Sequence, residues 1–150
     1  MLLTKRRIFA YTNMFLPLAL GCYIYLMFRD DYFIAFYTER IPILKLLRSY
    51  LYVAYIPQGI IDSIFMFHFT DFLWAYSLEW SVLLSYKNKI KSTFYCLIFC
   101  TIMEILQIWP RLRATFDFWD IISQVIGVIF GFIMYTKVYQ NPRGLTMNIK

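Results

Sequence analysis

Charged side chains are scarce in this sequence. They make up 16% of its 150 residues, against 61% hydrophobic and 21% aromatic, where a soluble domain usually carries about 25% charge. Too little polar side chain is present to cover a water-facing surface, so most of the chain is expected to lie outside water. Glycine and proline number five each, which excludes collagen-like and linker-type composition, and the apolar content excludes a disordered chain. Three cysteines make no disulfide framework. Cys22 falls inside one apolar run, and Cys96 and Cys100 lie four apart in another, where they read as small packing residues. The single histidine, His68, sits among aromatics with no second histidine or nearby cysteine, so no metal and no cofactor is expected.

What the chain does have is apolar runs of membrane length. A bilayer core of about 30 Å takes roughly 20 helical residues to cross. Four runs fit: Ile8 to Phe28, Phe69 to Tyr86, Ser92 to Trp109, and Phe118 to Tyr135. The first continues well past Cys22, which favours a retained span over a cleaved signal. Between the first two, Ile41 to Tyr55 places Leu44, Leu47, Leu51 and Ala54 on one stripe with Lys45 and Arg48 off it, the pattern of an amphipathic interfacial helix. A re-entrant or crossing segment within residues 41–66 is the alternative. The expected architecture is therefore an all-α integral membrane bundle of about four transmembrane helices plus an interfacial or re-entrant helix, forming a single domain over residues 1–150.

Fifteen basic residues face nine acidic ones. They are dealt out in short groups at the ends of apolar runs, which argues against a nucleic-acid partner and for membrane orientation. With the amino terminus inside, nine basic residues fall on the cytoplasmic side and six opposite, so both termini are expected to be cytoplasmic.

An ionisable residue in mid-bilayer costs roughly 2.5 to 3.5 kcal/mol and needs a partner, a wet cavity or a function. Asp71, Ala75 and Glu79 share a face of the second span; Cys96, Cys100, Glu104 and Gln107 share one on the third; Asp120, Gln124, Gly127 and Gly131 share one on the fourth. Asp71, Glu104, Gln107 and Asp120 all fall toward the outer ends of their spans. A polar cluster of Asp71, Glu104, Gln107, Arg113, Asp117, Asp120 and Gln124 is therefore expected there, with Arg113 as counter-ion for Glu104, Asp117 or Asp120. Glu79 lies deeper, without an assigned partner. Plainer readings stand beside this one. Asp117 and Asp120 have the spacing of a helix cap and its third residue, Gln107 and Gln124 suit interhelical hydrogen bonding, and Gly127 and Gly131 have the small-xxx-small spacing of helix packing.

The run Glu104-Ile105-Leu106-Gln107, followed by Arg113, Asp117, Asp120, Gln124, Gly127 and Gly131, resembles the signature of the VanZ-like family of small bacterial multi-pass membrane proteins. Upstream, the segment Asp71-Phe72-Leu73-Trp74-Ala75-Tyr76-Ser77-Leu78 is similar to the family's opening of an earlier helix, and the VanZ-like core spans about residues 69–136. The sequence departs from the pattern at Gln124, where Asn is commoner, at Phe72, where Lys is common, and at His68, which precedes Asp71 instead of following it. The resemblance implies a link to resistance against the glycopeptide teicoplanin and no established reaction.

These features lead to one principal expectation: a non-enzymatic cell-membrane protein whose outer polar cavity binds or shields an envelope component. Its partners would be membrane lipids, a lipid-linked cell-wall precursor or a glycopeptide, with arginine pairing a phosphate. An intramembrane enzyme using Glu104 and Asp120 as acid and base is the alternative, although no nucleophile, metal-ligand spacing or phosphate loop accompanies them. A transporter component is the third, since buried carboxylates carry protons.

Overall fold

The computed structural model describes residues 2–28, 39–52, 59, 64–108 and 117–140. Among these residues helix is the only regular structure. Helix α1 runs Leu2–Phe28, α2 Pro42–Leu51, α3 Phe69–Ser85, α4 Lys89–Leu106 and α5 Phe118–Met134. A wider turn, Ile64–His68, leads into α3, and another, Tyr135–Gln140, extends α5. Two stretches, Lys5–Phe28 and Phe118–Tyr139, are long and apolar enough to cross a membrane by length and composition. The sequence predicts four. Of the other two candidates, α3 carries Asp71 and Glu79 and α4 carries Lys89, Lys91 and Glu104.

The third predicted run begins at Ser92, whereas α4 starts at Lys89. The reason is a cap at Asn88, whose side chain accepts the Lys91 amide at 3.1 Å. This satisfies one of the donors a helix start leaves open, so the basic residues join the first turn instead of the connection before it. Helix α2 ends at Leu51, short of the predicted Tyr55, with Tyr52 already extended; Ala54 and Pro57 lie outside the described residues. Ile43, Leu46, Leu47 and Tyr50 are exposed on it, and Leu44 is half-buried.

Helix α3 lies at the centre, packed against α1, α4 and α5. Gly127 faces Phe72 and Ala75, and Gly131 faces Tyr76 and Glu79. Ascending numbers on one helix meet ascending numbers on the other, so α3 and α5 run parallel. Without side chains at these two positions the backbones come close. The partner α1 runs antiparallel to α3: Ala10 packs with Trp80, the Tyr76 hydroxyl donates to Asn13 Oδ1 at 2.6 Å, and Gly21 abuts Trp74. Trp80 is fully buried, set edge-on against Phe9 and Tyr135 with ring centroids 5.8 and 5.4 Å away. On the other side of α3, Ala75, Cys96, Cys100 and Val128 form a second small-residue core where α3, α4 and α5 meet. The cysteines are free.

Candidate functional site

The site begins at two helix starts. Asp117 caps α5, its Oδ1 accepting the Trp119 amide at 2.9 Å, and His68 occupies the corresponding position before α3. Because the glycine contacts hold α3 and α5 parallel and in close register, these starts stand side by side. His68 Nδ1 then lies 2.6 Å from Asp120 Oδ1, across 52 residues of sequence. The side chains of His68 and Asp120 keep 15% and 11% exposure. One ligand atom each from His68, Asp117 and Asp120 lies within 4.8 Å of the others. The capping role expected for Asp117 is present, and the same side chain stays within 4.8 Å of His68 and Asp120.

One turn further along α5, Gln124 Nε2 donates to Glu104 Oε1, a bond that joins α5 to α4. Gln124 Oε1 is buried without a hydrogen-bond partner, as is Thr70 Oγ1 two residues after His68. Asp71 is buried in the first turn of α3. Gln107 is half-buried at the end of α4, where its amide bonds back to the Glu104 carbonyl; no side-chain hydrogen bond ties it to the others among the described residues. Arg113, the expected counter-ion, lies outside the described residues together with Arg111.

Glu79 belongs to a different level. Its side chain lies beside Gly131, eleven residues beyond Asp120 and so roughly 16 Å along the helix axis. It is fully buried. Its Oε1 accepts from the Thr93 hydroxyl of α4 at 2.5 Å, and Oε2 has no hydrogen-bond partner. The polar groups therefore lie at three levels: His68, Asp71, Asp117 and Asp120 near the helix starts, Glu104 with Gln124 further along, and Glu79 with Thr93 furthest.

His68 stands outside the cluster that the sequence pattern predicts, because a lone histidine with no second histidine or nearby cysteine carries no ligand spacing. Its neighbours are aspartates about 50 residues away. The available signal was positional, since His68 directly precedes one helix and Asp117 another. Asn13 was missed as well, being a single amide in an otherwise apolar run. No protein family, no curated protein and no solved structure matches this chain.

Proposed function

We propose that the chain is a VanZ-like integral membrane protein of the cell envelope. In this reading α1, α3, α4 and α5 cross the bilayer, α2 lies on the interface, and both termini are cytoplasmic. The polar end formed by His68, Asp117 and Asp120, with Glu104 and Gln124 beneath, then binds or shields an envelope component such as a lipid headgroup or lipid-linked cell-wall precursor. The observation that carries the reading is an inversion of polarity. Glu79, Glu104 and Asp120 are 0%, 3% and 8% exposed, while Phe15, Leu16, Phe94, Tyr95, Phe118 and Trp119 are each more than half exposed. In water such a surface is an aggregation hazard; in lipid it is the expected outside, with the ionisable groups turned toward the bundle interior. With its leading turn α3 reaches from Ile64 to Ser85, and α4 spans roughly 27 Å, close to the ~30 Å core.

The buried acceptor at Gln124 and hydroxyl at Thr70 support ligand or water binding near the helix starts, because buried polar atoms are ordinarily satisfied. Among the described residues no Ser, Thr or Cys side chain hydrogen-bonds His68, so the imidazole lacks the nucleophile that an acyl-transfer enzyme would set beside it. Binding is therefore favoured over turnover.

Expression in a teicoplanin-susceptible bacterium tests this reading. The wild-type chain is expected to raise the inhibitory concentration, and Glu104→Gln and Asp120→Asn, at equal membrane levels, to lose most of that protection. Equal protection by both variants removes the polar end from the function. No protection by the wild type removes the glycopeptide link.

A further inference from the structure

We infer that His68, Asp117 and Asp120 form a binding site for one divalent transition-metal ion, of the Zn2+ or Mn2+ class. Three observations converge. The three side chains offer an imidazole nitrogen and two carboxylate oxygens all within 4.8 Å of one another. Two donors held at right angles about 2.1 Å from an ion stand roughly 3 Å apart, and opposite donors about 4.2 Å, so small shifts of the side chains bring the cluster to the dimensions of a coordination shell. Among the described residues, no lysine or arginine pairs with Asp117 or Asp120; the only basic contact is the imidazole at 2.6 Å. Two neighbouring carboxylates whose only basic contact among the described residues is an imidazole offer a seat for a cation. Finally, the ligands come from the starts of two helices that the α3–α5 contact fixes in register, so the geometry is held by packed secondary structure instead of by a flexible loop.

The donor set selects the ion. Imidazole suits zinc and later transition metals, while carboxylates suit manganese and magnesium; one nitrogen with two oxygens favours Zn2+ or Mn2+ over Ca2+. Coordination uses the neutral imidazole through Nδ1, with its proton on Nε2. A neutral ring whose proton lies between Nδ1 and Asp120 Oδ1 passes it to Nε2 by exchange with solvent as the ion takes its place, and only an imidazolium releases one proton net. His68 and Asp120 then separate by a few tenths of an ångström to admit the ion. Asp117 binds through the oxygen that the Trp119 amide does not occupy. Three protein ligands leave at least one coordination position open, and the partial exposure of the cluster gives it access to water or an anionic oxygen.

The test uses the full chain purified in detergent, stripped with chelator and titrated separately with Zn2+ and Mn2+ by calorimetry, with elemental analysis for stoichiometry. One ion per chain is expected. Removing even the outer hydrogen-bond partners of metal ligands costs about 10- to 100-fold in affinity, so His68→Ala and Asp120→Asn are each expected to weaken binding at least ~10-fold. Asp117→Asn is the decisive variant. Asparagine caps a helix as well as aspartate does, so the fold is kept while the charged ligand is lost, and the same weakening is expected. Bound Co2+ should also give visible d–d absorption that disappears in Asp117→Asn. The site is refuted if the wild-type chain takes up neither ion stoichiometrically, or if Asp117→Asn and Asp120→Asn bind as tightly as wild type. The titration decides this whatever teicoplanin susceptibility reports.

Discussion

A Cβ added at Gly127 would stand 2.5 Å from the Phe72 carbonyl oxygen and 3.2 Å from the Ala75 Cβ. The nearest obstacle is backbone on a neighbouring helix, which cannot rotate away. Gly127→Ala is therefore expected to force α3 and α5 apart and to destabilise the chain by about 1 to 3 kcal/mol, the usual range for overpacking. At Gly131 the nearest atoms are the Glu79 Cβ and Cγ, both at 3.2 Å. That contact needs only a few tenths of an ångström of give, against a backbone oxygen at 2.5 Å for Gly127, so Gly131→Ala is expected to cost less than Gly127→Ala. Thermal unfolding in a single detergent checks the order, and equal or reversed losses would mean that the α3–α5 contact is looser than described. The spacing of the two glycines in the sequence already pointed to packing. That the partner is α3, and that the two helices run parallel, required three dimensions.

At the scale of elements, the turn from α3 to α4 is tied by a single lysine. Lys89 Nζ donates to the carbonyl oxygens of Leu83 and Tyr86, and lies 5.2 Å from the centre of the Tyr135 ring. The last carbonyls of a helix have no partner within it and carry the negative end of its dipole. One ammonium therefore closes α3, opens α4 and leans on the end of α5. Lys89→Met is expected to lower stability by about 1.5 to 3 kcal/mol, the range for hydrogen bonds to a charged group. Lys87→Met, two residues away and exposed, is expected to change little. Chemical denaturation of the two variants side by side makes the comparison, and similar losses would show that general charge, not these bonds, matters. In the sequence, Lys87, Lys89 and Lys91 are equivalent markers of a helix end; only the folded turn distinguishes Lys89.

On the scale of the whole molecule, α3 is central among the described residues and packs against α1, α4 and α5, with Glu79, Glu104 and Asp120 turned inward and many aromatics such as Phe15, Phe94 and Trp119 outward. If four helices cross the membrane as proposed, Gly59 and Lys87 lie on opposite sides. Both are exposed. In a Cys22→Ser background, Gly59→Cys is expected to react with an impermeant maleimide on intact cells, and Lys87→Cys only after permeabilisation. Cys96 and Cys100 are buried and should stay silent. Labelling of both positions from outside would overturn the four-span arrangement, and the opposite pattern would invert its orientation.

Run length, helical periodicity and the punctuation of charged residues placed α1, α3, α4 and α5 within a few residues of their observed limits, apart from the earlier start of α1. Those signals are local: whether a residue continues a helix depends mainly on neighbours within one or two turns. The faces carrying Glu79, Glu104, Asp120 and Gln124 were readable for the same reason, since 3.6 residues per turn fixes which side chains share a side. The pairings themselves were decided by tertiary structure. His68 with Asp120, Tyr76 with Asn13, Glu79 with Thr93 and Gln124 with Glu104 each join different segments. Such pairs depend on how far each helix is rotated and slid against its neighbour, and that is set by side chains interlocking between helices, such as the Gly127 face on α3, which no one-dimensional pattern encodes.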